Sequence, residues 1–202
     1  MSAAKAVFVL IHGGWHNHSA WDRVAPILEA NGFAALKLDL PGAGVNAMAP
    51  TSLGCSPFDP AAFAAERSPN AGVTQEERTQ AVVALVKEAA SLSDGRVILV
   101  GHSASQLHCD ESNAGALAPS AITPGRFGTV PRHYIRCTQD RAIPLTGQDH
   151  MIATVDGAIG GKTTTHTLES SHSPFLSQPA ALSKILIDIC VQSLAEQSAE
   201  AP

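Results

Sequence analysis

The stretch RVILVGHSAS, residues 96–105, decides the fold of this chain. Its apolar, β-branched part predicts a short buried strand, and Gly101 ends that strand two residues before Ser103. A serine in a tight turn between a strand and a helix is typical of a nucleophile elbow, which lifts a hydroxyl above a sheet edge. The usual pattern is G-x-S-x-G, whereas this chain has Ser105 at the last position. The stretch alone also fits an ordinary strand followed by a serine helix cap.

The composition predicts a single globular domain, residues 1–202. Hydrophobic residues make up 45% of the chain and charged residues 15%, which excludes a disordered protein. The net charge of −5 provides no basic surface for nucleic acid. No apolar run approaches the roughly 20 residues of a membrane span, so we expect no membrane partner. The apolar start of the chain ends on His12-Gly13-Gly14, which favours a buried strand over a signal peptide and predicts a cytoplasmic protein.

The cysteines and histidines form no pattern typical of a metal site. None of the four cysteines belongs to a C-x-x-C pair, and their wide spacing favours reduced packing residues. The nine histidines include no H-E-x-x-H motif. We therefore expect no metal.

Strands and helices alternate along the chain. Strands are predicted within residues 6–11, 33–40, 96–101, 132–137 and 162–168, and helices within 20–31, 60–66, 74–91, 104–116, 145–155 and after 178. The fold class is therefore α/β, with a mostly parallel sheet and helices on both faces. Ligands of such sheets bind beyond the carboxyl ends of the strands, where the loops at His12, Asp39 and Ser103 would meet. The long loop over residues 45–72 borders this cleft or is a surface insertion.

Three candidate catalytic groups follow predicted strands in the order Ser103, Asp140 and His172. His172 would accept the Ser103 proton and later deliver it to a leaving alcohol. Asp140 would hold the imidazole in the required tautomer. Each residue also has a simpler interpretation, since Asp140 fits a turn before Arg141 and His172 fits a surface loop.

Two loops supply the remaining parts of this hypothetical site. The backbone N–H groups of Gly14 and Ala104 would bind the oxyanion, one from each loop. Gly13, Trp15 and Ile143 are the candidate substrate-binding residues. Such a set would cleave an ester, because the leaving group that takes the proton from His172 is an alcohol.

The motifs of the chain together resemble those of a known family. They are H-G-G-W-H and W-D-R-V after the first strand, D-L-P-G after the second, G-H-S after the third, then Y-I-R-C-T-Q-D-R-A-I-P and S-S-H-S-P-F. The chain resembles the α/β-hydrolases of the plant methylesterase and hydroxynitrile lyase group and their bacterial esterase relatives, over about residues 5–104 and 126–192. The resemblance implies the α/β-hydrolase fold, the triad above, small ester substrates and no cofactor. Ser173 and Gly13 stand where the lyases have lysine and threonine, which disfavours the lyase branch.

The chain departs from this family in two places. Ser105 and Gln106 stand where the family has glycine, and only 37 positions separate Ser103 from Asp140. One strand and most of the helical cap are therefore expected to be absent, with residues 105–127 as the remnant of the cap. Either the chain is a shortened, cap-less hydrolase or a segment is missing from the sequence. The gap in the sheet would close by direct strand pairing or by residues 121 and 122.

The leading functional interpretation is a serine carboxylesterase that cleaves small or aromatic esters through an acyl-enzyme. The alternatives are a non-catalytic or weakly active ligand-binding protein on the same scaffold and a truncated chain without a stable fold. Loss of the cap would leave Trp15, Ile143 and Phe175 more open. We therefore expect either a homodimer formed through this face or low selectivity for the acyl group.

Overall fold

A computed structural model describes residues 6–14, 16–103 and 123–200. The chain divides into two compact units, residues 1–118 and 119–202. The described strands are β1 Val7–Ile11, β2 Ala34–Lys37, β3 Val97–Gly101, β4 His133–Cys137 and β5 Thr164–Leu168. The described α-helices are α1 Ala25–Ala30, α2 Pro60–Ala65, α3 Gln75–Leu92, α4 Leu145–Ile159, α5 Pro174–Ser177 and α6 Pro179–Glu200.

All described strands pair in parallel. The first unit contains a sheet in the order β2-β1-β3, and the second unit contains the pair β4-β5. Parallel strands joined by helices confirm the predicted α/β class. The predicted helix over residues 104–116 and the strand-completing residues 121 and 122 lie outside the described residues. The assignment of residues 1–202 to one domain and of residues 105–127 to a cap remnant stays a prediction.

Strand β1 is the centre of the first unit, because all five of its residues are buried. Val7, Val9 and Ile11 pack with Ala89 of helix α3 in one apolar cluster. Phe8 points to the opposite face and meets the Phe33 ring edge to face, with ring centroids 5.5 Å apart. An uninterrupted apolar run is what a parallel strand covered on both faces requires.

The pattern T-x-x-E over residues 74–77 predicts a capping box at the start of α3, and the structure confirms it. The Glu77 N–H donates to Thr74 Oγ1 over 3.2 Å, and the Thr74 N–H donates back to the Glu77 carboxylate over 2.7 Å. Helix α3 ends at Leu92, after which Asp94 and Gly95 adopt φ angles of 50° and 85° and turn the chain into β3. These local signals fix both ends of the longest helix of the first unit.

The helix predicted over residues 20–31 is divided in the structure. A 3₁₀ turn covers His18–Trp21, and α1 begins only at Ala25. Pro26 explains the division, because its nitrogen has no hydrogen to donate to the preceding turn. The first turn is capped by Asn17, whose side chain accepts the Ser19 N–H over 2.9 Å. Ser19, whose residue type also predicts a cap, lies inside the turn, so that prediction is wrong.

The second unit holds two loops at the carboxyl ends of its strands. β4 and β5 pair from His133 with Thr164 to Cys137 with Leu168. Two more backbone hydrogen bonds of 3.0 Å extend this ladder, from the Thr138 N–H to the Leu168 carbonyl and from the Gln139 N–H to the Ser170 carbonyl. The loop after β4 is thereby fixed against the loop after β5.

No described helix is long and apolar enough to cross a membrane.

Candidate active site

Ser103 follows β3 by two residues and has a φ of 51°. This is the left-handed region, which costs a residue with a side chain about 1–2 kcal/mol. The backbone at Ser103 therefore has the strained geometry that a nucleophile elbow requires.

Gly13 lies directly against this turn. β1 and β3 are neighbours, with Ile11 paired to Gly101, so the loop after β1 meets the turn after β3. A Cβ atom at Gly13 would lie 2.7 Å from the His102 carbonyl oxygen and 3.1 Å from the Ser103 Cβ. The structure thus shows a steric reason for glycine at position 13, in addition to the substrate contact that the sequence predicts.

His12 holds the same loop in place through two hydrogen bonds of its ring. Its Nδ1–H donates to the Gly13 carbonyl over 2.9 Å, and its Nε2 accepts the Leu40 N–H over 3.1 Å. Burial lowers the pKa of this imidazole, and this outweighs the opposing effects of the Gly13 hydrogen bond and of Asp39. His12 is therefore held neutral. Its unprotonated Nε2 accepts the Leu40 N–H, which has no other acceptor among the described residues.

The Gly14 N–H donates to no acceptor among the described residues, although the Gly14 carbonyl accepts the His16 Nδ1–H over 2.7 Å. An N–H with no acceptor among the described residues has the chemistry that an oxyanion donor needs. The other predicted donor, Ala104, lies outside the described residues. The same holds for Trp15.

Asp39 connects the loops after β1 and β2, a role that the sequence analysis missed. Its side chain is only 3% exposed and accepts the His18 backbone N–H over 2.6 Å, the His18 Nδ1–H over 2.9 Å and the Val45 N–H over 2.9 Å. Burial alone would raise the pKa of Asp39, but these hydrogen bonds outweigh it and lower the pKa. A Cβ at Gly44 would collide with this carboxylate.

His172 and Asp140 form an acid–base pair in the second unit. The His172 Nδ1–H donates to Asp140 Oδ2 over 2.7 Å. The other oxygen, Oδ1, accepts the N–H groups of Ala142 and Ile143 over 2.8 and 2.9 Å. Burial would raise the pKa of Asp140, yet the hydrogen bonds from His172, Ile143 and Ala142 hold it below its usual range. This tautomer places the lone pair on His172 Nε2, where a general base needs it.

The pair lines a cavity of about 630 Å³. The lining residues are Thr138, Gln139, Asp140, Arg141, Ala142, Ser171, His172 and Ser173. Ile143 is half-buried and contributes its N–H to Asp140. Phe175 is 1% exposed, so the expectation that it forms an open face is wrong. Its side chain is enclosed because it packs inward from α5, a helix that was not predicted.

The structure thus brings Asp140 and His172 together, and it gives Ser103 the turn expected of a nucleophile in the first unit. The roles of two polar side chains near the loops of the site were not predicted, those of Asp39 and Gln148. Asp39 had a weak signal, since it lies at the carboxyl end of a predicted strand. Gln148 had none, because a glutamine in a helix is ordinarily exposed.

Among residues 6–14, 16–103 and 123–200, no three metal-ligating side chains form a group that could hold a metal ion.

Comparison with known proteins shows what this chain is similar to. Residues 8–105 match the model of the alpha/beta hydrolase family. A segment of 76 residues is 33% identical to an Arabidopsis thaliana protein named as methylesterase 11, and it covers 38% of this chain and 18% of that relative. The chain therefore spans less than one fifth of the length of the curated relative.

Solved structures of low sequence identity share the fold. A pyrethroid hydrolase from Sphingobium faniae is 20% identical with a TM-score of 0.59, and the match covers 92% of this chain and 97% of that one. An Arabidopsis methylesterase is 18% identical with a TM-score of 0.56, over 91% and 98% of the two chains. Tomato methylketone synthase I is 13% identical with a TM-score of 0.64, over 93% and 98%. The matched family, the parallel sheets and the turn at Ser103 together show that this chain is an α/β-hydrolase-fold protein similar to the methylesterases and their esterase relatives.

Proposed function

We propose that this chain is a serine hydrolase that cleaves small or aromatic carboxylic esters. The observation that carries the proposal is the hydrogen bond of 2.7 Å between His172 and Asp140. A histidine that merely lay in a surface loop would not need a carboxylate to fix the tautomer of its ring. Such a carboxylate is what a general base needs when it must accept a proton from a hydroxyl.

The proposed reaction begins at Ser103. Its Oγ–H proton passes to His172 Nε2 while Oγ forms a bond to the ester carbonyl carbon. The carbonyl oxygen becomes an oxyanion, for which the N–H groups of Gly14 and Ala104 are the proposed donors. The tetrahedral species expels the alcohol, which takes the proton from His172. Water then attacks the acyl-enzyme with His172 again as the base, and the carboxylic acid leaves.

The exposed fractions of Asp140 and His172 and the pKa of Asp140 support these steps. The Asp140 carboxylate is 6% exposed and the His172 ring 27% exposed, so the acid is protected from water while the base is accessible. Asp140 stays ionised because its pKa is lowered, and a carboxylate can stabilise the imidazolium that forms in the transition state. Gly13, Trp15 and Ile143 are the proposed substrate-binding residues.

Active-site labelling tests the proposal. A fluorophosphonate probe should modify the wild-type chain at Ser103, and a p-nitrophenyl ester should give a burst of one p-nitrophenol per chain. Ser103→Ala should abolish both signals without lowering the melting temperature, because the hydroxyl is the proposed nucleophile. Ser105→Ala is the matched control and should retain both. Labelling of the Ser103→Ala variant would refute the assignment.

A second function is favoured by the sequence of the turn itself. Ser105 replaces a glycine that lets the elbow helix pack closely, and this change favours a ligand-binding protein with little or no turnover. Such a protein would bind a p-nitrophenyl ester in calorimetry but give neither burst nor label. A cytoplasmic location and self-association as a homodimer are further proposals, of which the first agrees with the free thiols of Cys55, Cys137 and Cys190.

A further inference from the structure

Gln148 is one of the few polar side chains that are buried in the described part of the chain. It lies in the first turn of α4 and is 2% exposed. It is neither charged nor part of the cavity that contains His172. A buried amide in this position needs partners for one acceptor oxygen and two N–H groups.

All of those partners belong to the two ends of one loop. Gln148 Oε1 accepts the Cys137 N–H over 2.9 Å. Its Nε2 donates to the Cys137 carbonyl over 2.9 Å and to the Ile143 carbonyl over 2.8 Å. Cys137 is the last residue of β4, and Ile143 is the residue before Pro144, which caps α4. One side chain therefore holds together the beginning and the end of the loop over residues 138–142.

Asp140 lies in the middle of that loop. Its Oδ1 accepts the N–H of Ile143, the same residue whose carbonyl is bonded to Gln148. Displacement of Ile143 would therefore move a donor away from the carboxylate. The Cys137 end is also fixed, because the neighbouring Thr138 and Gln139 continue the ladder towards β5. The distance from Asp140 to His172 depends on both ends.

We propose that Gln148 is a positioning residue that sets the Asp140 carboxylate at hydrogen-bond distance from His172. The proposal rests on the proposed function for its catalytic consequence, but the geometry concerns the Asp140–His172 pair alone. No other side chain of this size can perform the role. Glutamate keeps an acceptor for the Cys137 N–H but loses both donors, and methionine has neither.

Two variants and one control test this role. Gln148→Glu is isosteric and Gln148→Met is similar in volume, so at least one is expected to fold. Gln192→Met removes an exposed glutamine from α6 of the same unit and serves as the control. Each folded variant is examined by ¹H NMR for the low-field proton between His172 and Asp140, by ¹³C NMR for the titration of Asp140, and by ester kinetics.

We expect both Gln148 variants to lose or broaden the low-field proton and to raise the pKa of Asp140 towards its ordinary value of about 3.9. We also expect kcat to fall by about tenfold or more with KM changed less than twofold, a loss of at least about 1.4 kcal/mol in the transition state. The control should match the wild type in all three readouts. A merely structural role would lower the melting temperature without moving the proton signal or the Asp140 titration.

The outcomes separate this inference from the proposed function. A wild-type chain without turnover would refute the hydrolase, while the two NMR measurements would still test Gln148. A Gln148→Glu or Gln148→Met variant that folds and keeps the low-field proton, the Asp140 titration and kcat of the wild type would overturn the inference.

Discussion

The Nδ1 atom of His172 lies 2.7 Å from Oδ2 of Asp140, and the second carboxylate oxygen is occupied by two backbone N–H groups. The carboxylate therefore has one orientation, in which it can accept only the Nδ1–H tautomer of the ring. This arrangement is formed within the second unit by the loops after β4 and β5. It is the part of the site that can be tested without reference to Ser103.

Asp140→Asn should lower kcat strongly while leaving the fold intact. The amide oxygen can still accept the N–H groups of Ala142 and Ile143, so the loop keeps its turn. The amide NH₂ would then face His172 Nδ1, which becomes an acceptor and moves the ring proton to Nε2. In a triad of known mechanism this tautomer costs about 10⁴-fold in kcat.

Steady-state ester hydrolysis and a thermal melt measure both expectations for Asp140→Asn. The control is Asp149→Asn on α4, an exposed carboxylate that pairs with Arg136. Exposed ion pairs contribute about 0–1 kcal/mol, so the control should keep its activity. An Asp140→Asn variant with more than a tenth of wild-type kcat would argue against the proposed role of His172.

Local signals in the sequence predicted a large part of the fold. The apolar run of β1, the capping box at Thr74 and the turn at Gly95 depend on neighbours in sequence, and each was found where the residues indicated. The order Ser103, Asp140, His172 indicated the loops that hold the candidate site, because each residue lies just after a strand.

Tertiary contacts account for what the sequence did not reveal. The amide of Gln148 bonds to Cys137, which is 11 positions away, and Asp39 bonds to His18, which is 21 positions away. Neither pair has a periodic pattern that marks it. Phe175 was expected to be open because the cap was expected to be absent, but its side chain packs inward from α5 and is 1% exposed.

Gly13→Ala should damage the turn at Ser103. The added methyl group would lie 2.7 Å from the His102 carbonyl oxygen and 2.8 Å from its ring Nδ1. Forcing an atom into a packed site costs about 1–3 kcal/mol, and each 1 kcal/mol lowers the melting temperature by about 2–4 °C in a chain of this size. We expect both a lower melting temperature and a large loss of fluorophosphonate labelling.

Gly72→Ala provides a matched control for this variant. Its φ is not positive and no atom lies within 4 Å of the added methyl group. Calorimetry and labelling should find it indistinguishable from the wild type or slightly more stable, because alanine restricts the unfolded chain. Equal stability and labelling of the two alanine variants would show that the loop after β1 does not support the turn.

The stability of the chain should fall as the pH drops below about 6.5. Burial lowers the pKa of His12 relative to its value of about 6.5 in an unfolded chain. Between those two values the unfolded state binds more protons than the folded state, so protonation favours unfolding. The stabilising effect of neutral His12 is present above about pH 6.5 and is lost as the pH falls towards its folded pKa.

Melting temperatures at pH 7.5 and 5.5 measure this loss. His12→Leu removes the titrating group and should be less stable at pH 7.5, because the buried Leu40 N–H loses its acceptor at a cost of about 1–3 kcal/mol. Its decline between the two pH values should be smaller than that of the wild type. His150→Gln, a change on an exposed part of α4, should leave the decline unchanged. An equal decline in all three chains would exclude His12 as its source.

Asp39 should change the stability of the chain in a lower pH range than His12. Its folded pKa is lowered, so its stabilising effect is present above the unfolded value of about 3.9 and is lost as the pH falls through the folded value. A second decline in melting temperature is therefore expected below about pH 4. Asp39→Asn should flatten this decline, and it should enlarge the decline due to His12, because the Asp39 charge raises the pKa of His12. An unchanged acid decline in Asp39→Asn would assign it to other carboxylates.

The charge of the cavity predicts which esters are preferred. Arg141 lines the cavity beside His172, and no carboxylate within the described residues pairs with its side chain. A guanidinium that lines the cavity attracts an anionic group, so esters that carry a remote carboxylate should react with a lower KM than neutral esters of equal length. Arg141→Gln should remove this preference while leaving the neutral ester unaffected.

The comparison of p-nitrophenyl butyrate with mono-p-nitrophenyl succinate measures the preference of Arg141. An exposed charge pair contributes up to about 1 kcal/mol, which corresponds to a ratio of kcat/KM of about fivefold. The ratio should shrink at 1 M salt, where the Debye length is about 3 Å, compared with about 8 Å at physiological ionic strength. Arg126→Gln, which removes an exposed arginine outside the cavity, should keep the wild-type ratio. The same ratio in Arg141→Gln and the wild type, or a ratio independent of salt, would mean that the guanidinium does not meet the substrate.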